Sequence, residues 1–81
     1  MNVSLMDTRK IIFEGNIKEA VLPGEDGELT VLDFHQPFLC RLRSGFVTLR
    51  LDPLKENRIM IKYGVAKMSR NDLTILVEEY A

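Results

Sequence analysis

Apolar side chains in this chain recur at every second residue, not at every third or fourth. Val3 and Leu5 alternate with Asn2 and Ser4; Val47, Leu49 and Leu51 alternate with Thr48 and Arg50; Leu73, Ile75 and Val77 alternate with Thr74, Leu76 and Glu78. A period of two turns one face of a pleated strand to a core and the other to water. No window of helical length carries an i, i+3, i+4, i+7 stripe. Turn signals at Asp7-Thr8-Arg9-Lys10, Ser44-Gly45, Asp52-Pro53 and Ser69-Arg70-Asn71-Asp72 divide the chain into roughly eight to ten short strands. An isolated hairpin is marginal in water, so such strands must close on one another as two layers around one core. The fold class is therefore all-β, a small and mainly antiparallel sandwich, with residues 1–81 as a single domain.

Some assignments within that pattern are specific. Phe38-Leu39-Cys40-Arg41-Leu42 reads as one strand, and Gly64 as a kink or bulge before Val65. Proline offers no ladder donor, so Asp52-Pro53 ends a strand, and the polar Lys55-Glu56-Asn57 is expected to complete that loop. Ile17, Glu19 and Val21 are expected on one face, Ala20 and Leu22 on the other. Between two apolar runs lies Pro23-Gly24-Glu25-Asp26-Gly27-Glu28. Pro23 presets its φ and the two glycines accept positive φ, which makes a tight reversal. Its three carboxylates have no apolar cover, so this tip should face water or a partner.

Composition narrows the function classes. A chain of 81 residues with 46% hydrophobic and 28% charged residues is ordinary for a globular domain. Its net charge of −1 and the lack of a Lys/Arg cluster larger than Arg41-Leu42-Arg43 or Arg9-Lys10 argue against nucleic acid as a partner. The six aromatic residues, Phe13, Phe34, Phe38, Phe46, Tyr63 and Tyr80, then read as core. A single cysteine, Cys40, permits neither an internal disulfide nor a cysteine-based zinc site, and a reducing compartment fits. No stretch approaches the 18 or so apolar residues of a membrane-spanning helix. The first residues lack the basic head and long apolar run of a signal peptide.

Little here suggests chemistry. His35 is the single histidine, and no Ser or Cys lies in a nucleophile motif. It reads as a turn residue whose ring hydrogen-bonds backbone, or as a contact residue. Glu25, Asp26, Glu28, Asp33 and His35 do not match the calcium-loop spacing. Pro23-Gly24-x-x-Gly27 lacks the lysine, the Ser/Thr and the helix of a phosphate loop, and its carboxylates repel phosphate. Cys40 reads as a small core hydrophobe. No metal, cofactor or catalytic residue is expected.

Phe13-Glu14-Gly15 with Ile17, Leu22 through Leu32, His35-x-Pro37-Phe38-Leu39, Gly45-Phe46-Val47, Gly64, and Leu73-Thr74-Ile75-Leu76-Val77 form an ordered series. In order and spacing, this series resembles the N-terminal domain of the F-type ATP synthase epsilon subunit. The resemblance implies a sandwich of two five-stranded sheets. It implies a non-catalytic central-stalk (rotor) subunit that binds the gamma subunit and the c-ring and helps couple ion translocation to ATP synthesis or hydrolysis. The alpha/beta hexamer would be met indirectly. The location implied is peripheral, on the cytoplasmic face of a bacterial inner membrane or the equivalent organellar face. Carried over, Glu28 and His35 fall at the ring- and gamma-facing loops; Asp26 shares the turn of Glu28, and Phe34, which precedes His35, is either an anchor into a partner, the reading preferred, or a core residue of an altered loop.

The chain departs from the family where Asp33-Phe34 replaces the usual Pro-Gly or Pro-Asn, and where Thr30, Gln36, Tyr63 and Val65 stand. Family members commonly continue into two C-terminal helices that carry inhibition and, in some, an ATP site. Residues 1–81 are expected to be either a naturally short form without them or a chain cut to the sandwich, and as they stand neither ATP binding nor autoinhibition is expected. The alternative is a free-standing β-sandwich that binds a small ligand or peptide, which needs a concave apolar cavity with converging polar groups. A metal-assisted enzyme is a third reading and needs His35 within reach of a carboxylate and a nucleophile.

Overall fold

A computed structural model describes residues 1–79. These form eight strands: β1 (Asn2–Met6), β2 (Ile11–Asn16), β3 (Glu19–Gly24), β4 (Gly27–Leu32), β5 (Phe38–Leu42), β6 (Gly45–Asp52), β7 (Lys55–Ser69) and β8 (Asp72–Glu79). One layer runs β2-β1-β8-β7-β5, and the other runs β4-β3-β6-β7. The paired strands are antiparallel except β1 with β8.

The two layers are not separate sheets. Strand β7 is 15 residues long and belongs to both. Its first half pairs with β6, from Asp52↔Lys55 to Gly45↔Ile61, and its second half pairs with β5 and β8. A register shift between Ile61 and Tyr63 marks the crossing. A second link joins β3 to β5 at Gly24↔Leu42. The hydrogen-bonded path is thus continuous, with five strands in one layer and four in the other when β7 is counted twice.

The period-two pattern places the core. Val3 and Leu5, Ala20 and Leu22, Val47 and Leu49, Ala66 and Met68, and Leu73, Ile75 and Val77 all point inward and are buried. Burying such side chains stabilises the fold by roughly 1.5–3 kcal/mol each. Among the described residues, the buried set contains no polar or charged side chain. Ile17 also fills the core, although Glu19 was expected to share its face. Ile17 lies in the corner before β3, where its N–H donates to the Met1 carbonyl at 2.9 Å, so it escapes the strand's alternation. Glu19 faces outward and pairs with Arg50 at 2.7 Å.

Three local expectations change. Lys55, Glu56 and Asn57 are not loop residues; only Pro53 and Leu54 separate β6 from β7. The first half of β7 pairs with β6 alone, so it is an edge, and charged side chains suit an exposed edge. The bulge expected at Gly64 lies just before it, at the Ile61/Tyr63 register shift, and Gly64 itself pairs regularly with Val77. It allows β8 to press close, since a Cβ there would stand 2.6 Å from the Leu76 carbonyl oxygen. Finally, the aromatics divide. Phe13 and Phe38 pack against the core, whereas Phe34, Phe46 and Tyr63 are exposed. Arg58 stacks over Phe46 at 4.2 Å, which accounts for one ring outside the core. Tyr80 lies outside the described residues.

Candidate protein-contact site

The four expected contact residues fall at opposite ends of β4. Asp26 and Glu28 sit at the β3–β4 hairpin tip. Phe34 and His35 sit in the loop after β4. The six residues of β4 separate the two ends by about 17 Å at the usual strand rise. Each pair must therefore make its own contact.

The tip is rigid by construction. Gly24 pairs with Gly27 around Glu25-Asp26, and Gly27 takes φ 135. A Cβ on Gly24 would stand 2.5 Å from the Gly27 oxygen, so glycine is required there. The Glu25 N–H donates to the Arg41 carbonyl at 2.9 Å, and the Arg43 N–H donates to the Pro23 carbonyl at 2.8 Å. Strand β5 thus braces the turn from the side. The side chains of Glu25, Asp26 and Glu28 are exposed around it.

The other end is built around Asp33. Its carboxylate accepts from the Met1 ammonium, and that hydrogen bond is the main reason its pKa lies below the usual carboxylate range. The Asn71 side chain also donates to it. The Phe34 N–H donates to Asn71 Oδ1 at 2.7 Å, and the His35 N–H donates to the Leu32 carbonyl at 3.1 Å. Phe34 is 80% exposed at φ 61, the left-handed region. His35 Nδ1 lies 2.9 Å from the Gln36 carbonyl oxygen. A carbonyl only accepts, so Nδ1 carries the proton in this contact. The imidazole meets Phe38 edge-on, with ring centroids 5.3 Å apart. This is the backbone-bonded turn histidine expected from the sequence.

Cys40 is partly buried against the core, and burial raises its thiol pKa. No group of three or more His, Cys, Asp or Glu side chains converges among the described residues.

Register adds a surface the sequence did not suggest. Ile11 pairs with Met6, Met6 with Leu76, and Leu76 with Val65. These four apolar side chains form one row across the outer face of the five-stranded layer, and Arg41 beside Val65 closes it. Ile11 is 57% exposed, Leu76 44% and Val65 41%. A hollow of about 820 Å³ adjoins the row; Val65, Leu76 and Tyr63 line it together with charged residues of the β1–β2 turn. The Tyr63 pKa is raised by its hydrogen bond to Glu78. The outer face of the other layer differs. Its rows read Leu32–Glu19–Arg50–Glu56 and Thr30–Val21–Thr48–Arg58. Arg50 there bonds Glu19 and, at 3.3 Å, Glu56, so the middle of that face is polar and internally paired, while the next row sets the exposed Phe46 against the exposed Met60.

Comparison with known proteins supplies the family. The model of the ATP synthase delta/epsilon chain β-sandwich domain matches residues 1–81. The chain is 38% identical to the ATP synthase epsilon chain of Maricaulis maris, over 98% of this chain and 59% of that protein. It is 33% identical to the epsilon chain of a Nitratiruptor species, over 96% of this chain and 60% of that one. It therefore spans about three-fifths of the length of these curated relatives. Among solved structures, a chain of the Euglena gracilis mitochondrial ATP synthase (OSCP/F1/c-ring) superposes with a TM-score of 0.88 at 19% identity, over 95% of this chain and 49% of that one. A chain of the Tetrahymena thermophila mitochondrial ATP synthase central stalk/c-ring gives 0.80 at 16%, over 96% and 63%. At such identities the likeness concerns the fold alone. The period-two core, the braced Pro-Gly hairpin and the full-length family match agree, and the chain belongs to the ATP synthase delta/epsilon chain family, with residues 1–81 matching its β-sandwich domain.

Proposed function

We propose that residues 1–81 act as one epsilon-type domain in the rotor of an F-type ATP synthase, as a non-catalytic coupler between the gamma subunit and the c-ring. Contact with the alpha/beta hexamer is indirect. The domain is peripheral to the membrane through the complex, on the cytoplasmic face of a bacterial membrane or its organellar equivalent. Named relatives are ATP synthase epsilon chains, and the structural neighbours come from ATP synthase assemblies described as F1/c-ring and central stalk/c-ring.

The observation that carries the reading is the contrast between the two outer faces. One is centred on the ion pairs of Arg50 with Glu19 and Glu56, and its exposed apolar side chains, Leu32 and the Phe46–Met60 pair, lie to either side of them. The other presents the in-register row Ile11–Met6–Leu76–Val65. Apolar surface of this kind, rimmed by polar residues, suits a protein partner. In this reading the row docks on gamma, with Phe34 and His35 adding a contact at the end of the sandwich. The exposed carboxylates Asp26 and Glu28 meet polar loops of the c-ring, where rim charges tune encounter and register more than raw affinity.

The test is to mix the chain with the gamma subunit of the same source and measure complex mass by size exclusion with light scattering. A one-to-one complex is expected. Leu76→Glu should weaken it at least tenfold, and Glu28→Lys should spare it while reducing c-ring attachment. A chain that stays alone at micromolar concentration with both gamma and the c-ring present refutes the reading.

A further inference from the structure

Phe34 is out of place twice over. A bulky residue at positive φ is a genuine outlier, and such strain persists only where surrounding structure imposes it. Phe34 has φ 61. Its ring is also 80% exposed, so packing does not compensate for the backbone. Strained positions of this kind cluster at functional sites.

The Leu32–His35 turn, closed by the His35 N–H on the Leu32 carbonyl at 3.1 Å, has Phe34 as its third residue, a position that takes positive φ in turns of this length. One side chain then fixes Phe34 there. Asn71 Oδ1 accepts the Phe34 N–H at 2.7 Å, from 37 positions away. It is itself well anchored. It stands at φ 60 beside Arg70 at φ 53 in the tight β7–β8 turn, a conformation asparagine tolerates. Its carbonyl accepts the Asn2 N–H at 3.1 Å, tying the turn to β1.

We propose that Asn71 is a positioning residue, which holds Phe34 in the left-handed conformation so that its exposed ring is a preformed anchor for an apolar pocket on the stalk partner. A ring fixed before binding loses little conformational freedom on docking, which is how preorganisation raises affinity. Leu32, 53% exposed and two residues earlier, extends the apolar contact. This inference rests on the stalk reading above and adds how one of its contacts is held.

The test compares wild type, Phe34→Gly, Asn71→Gly and the double variant, each titrated against the purified gamma subunit and each melted alone. Glycine at 71 keeps the turn's backbone preference and removes only the clamp. Glycine at 34 relieves the strain and removes the ring. Phe34→Gly is expected to melt a few degrees higher than wild type and to bind gamma at least tenfold more weakly. Asn71→Gly should also bind more weakly, and the double variant should bind no worse than Phe34→Gly, because Asn71 acts through Phe34. A purely structural Asn71 would lower the melt and add its full loss to the Phe34→Gly background. Equal binding by wild type and Phe34→Gly, or an Asn71→Gly loss that persists undiminished in the double variant, overturns the inference and leaves the stalk reading standing. A wild-type chain that does not bind gamma overturns the inference, and one that stays alone with the c-ring also present overturns the stalk reading as well.

Discussion

At Gly64, β8 lies close against β7, and replacing the glycine tests the arrangement of the whole five-stranded layer. A Cβ built there stands 2.6 Å from the Leu76 oxygen, 3.0 Å from Val77 Cγ1 and 3.2 Å from Val77 Cα, where ordinary contact begins at 3.4 Å. In Gly64→Ala the β8 backbone must therefore retreat by several tenths of an ångström, since the nearest atom is backbone. Overpacking of this kind costs about 1–3 kcal/mol. Loss of glycine's freedom in the unfolded chain offsets about 0.4–1 kcal/mol of that. The net is a loss of up to about 2.6 kcal/mol, with a midpoint of about 1.3 kcal/mol that corresponds to roughly 5–10 °C in Tm for a domain of this size. Gly15→Ala is the matched control. There the nearest atom is in the Phe13 ring at 3.5 Å and the backbone is not left-handed, so only the entropic gain remains. Gly15→Ala should melt at or slightly above the wild-type temperature. Thermal unfolding by circular dichroism, with urea titration to check that the m-value is unchanged, reads both. Equal melting temperatures for the two variants would refute the close-approach argument. Gly64→Ala should also weaken the proposed gamma contact, because Val65 and Leu76 are cross-strand partners beside it.

Two further outcomes follow from perturbed groups. The Asp33 pKa is lowered chiefly by the Met1 ammonium. A depressed carboxylate contributes stability that is present above its unfolded pKa, near 3.9, and lost as pH falls through the lower folded value. Acid unfolding of Asp33→Asn should accordingly be less steep below about pH 4 than that of wild type; Asp7, also lowered by its hydrogen bonds from Arg9 and Lys10, keeps its own share in both proteins. Identical acid slopes would remove the role given to Asp33. Cys40, with its thiol pKa raised by burial, should react with a disulfide reagent at pH 8 much more slowly in the folded chain than in urea, and equal rates would contradict its place against the core.

Alternation along a strand is a local property, and the sequence determined what depends on it. The all-β class, the inward sets such as Leu73-Ile75-Val77, the Phe38–Leu42 strand and the Pro23–Gly27 reversal could all be read from neighbouring residues. The backbone bond of the His35 ring reaches only Gln36, so it too was legible. What escaped depends on which strands lie side by side. Lys55-Glu56-Asn57 looks like a loop until β6 is known to pair with it. Ile11, Met6, Leu76 and Val65 become one row only through three separate registers, which the alternation within each strand does not specify. The Asn71 grip on Phe34 spans 37 positions, and the one pointer to positive φ at Phe34 is that it stands where related chains have Gly or Asn, since a Phe by itself does not ask for it. Periodicity decides which face of a strand is buried because burial acts on each residue separately. Only the packed structure decides which exposed side chains become neighbours, because register is set by the joint fit of every strand to the shared core.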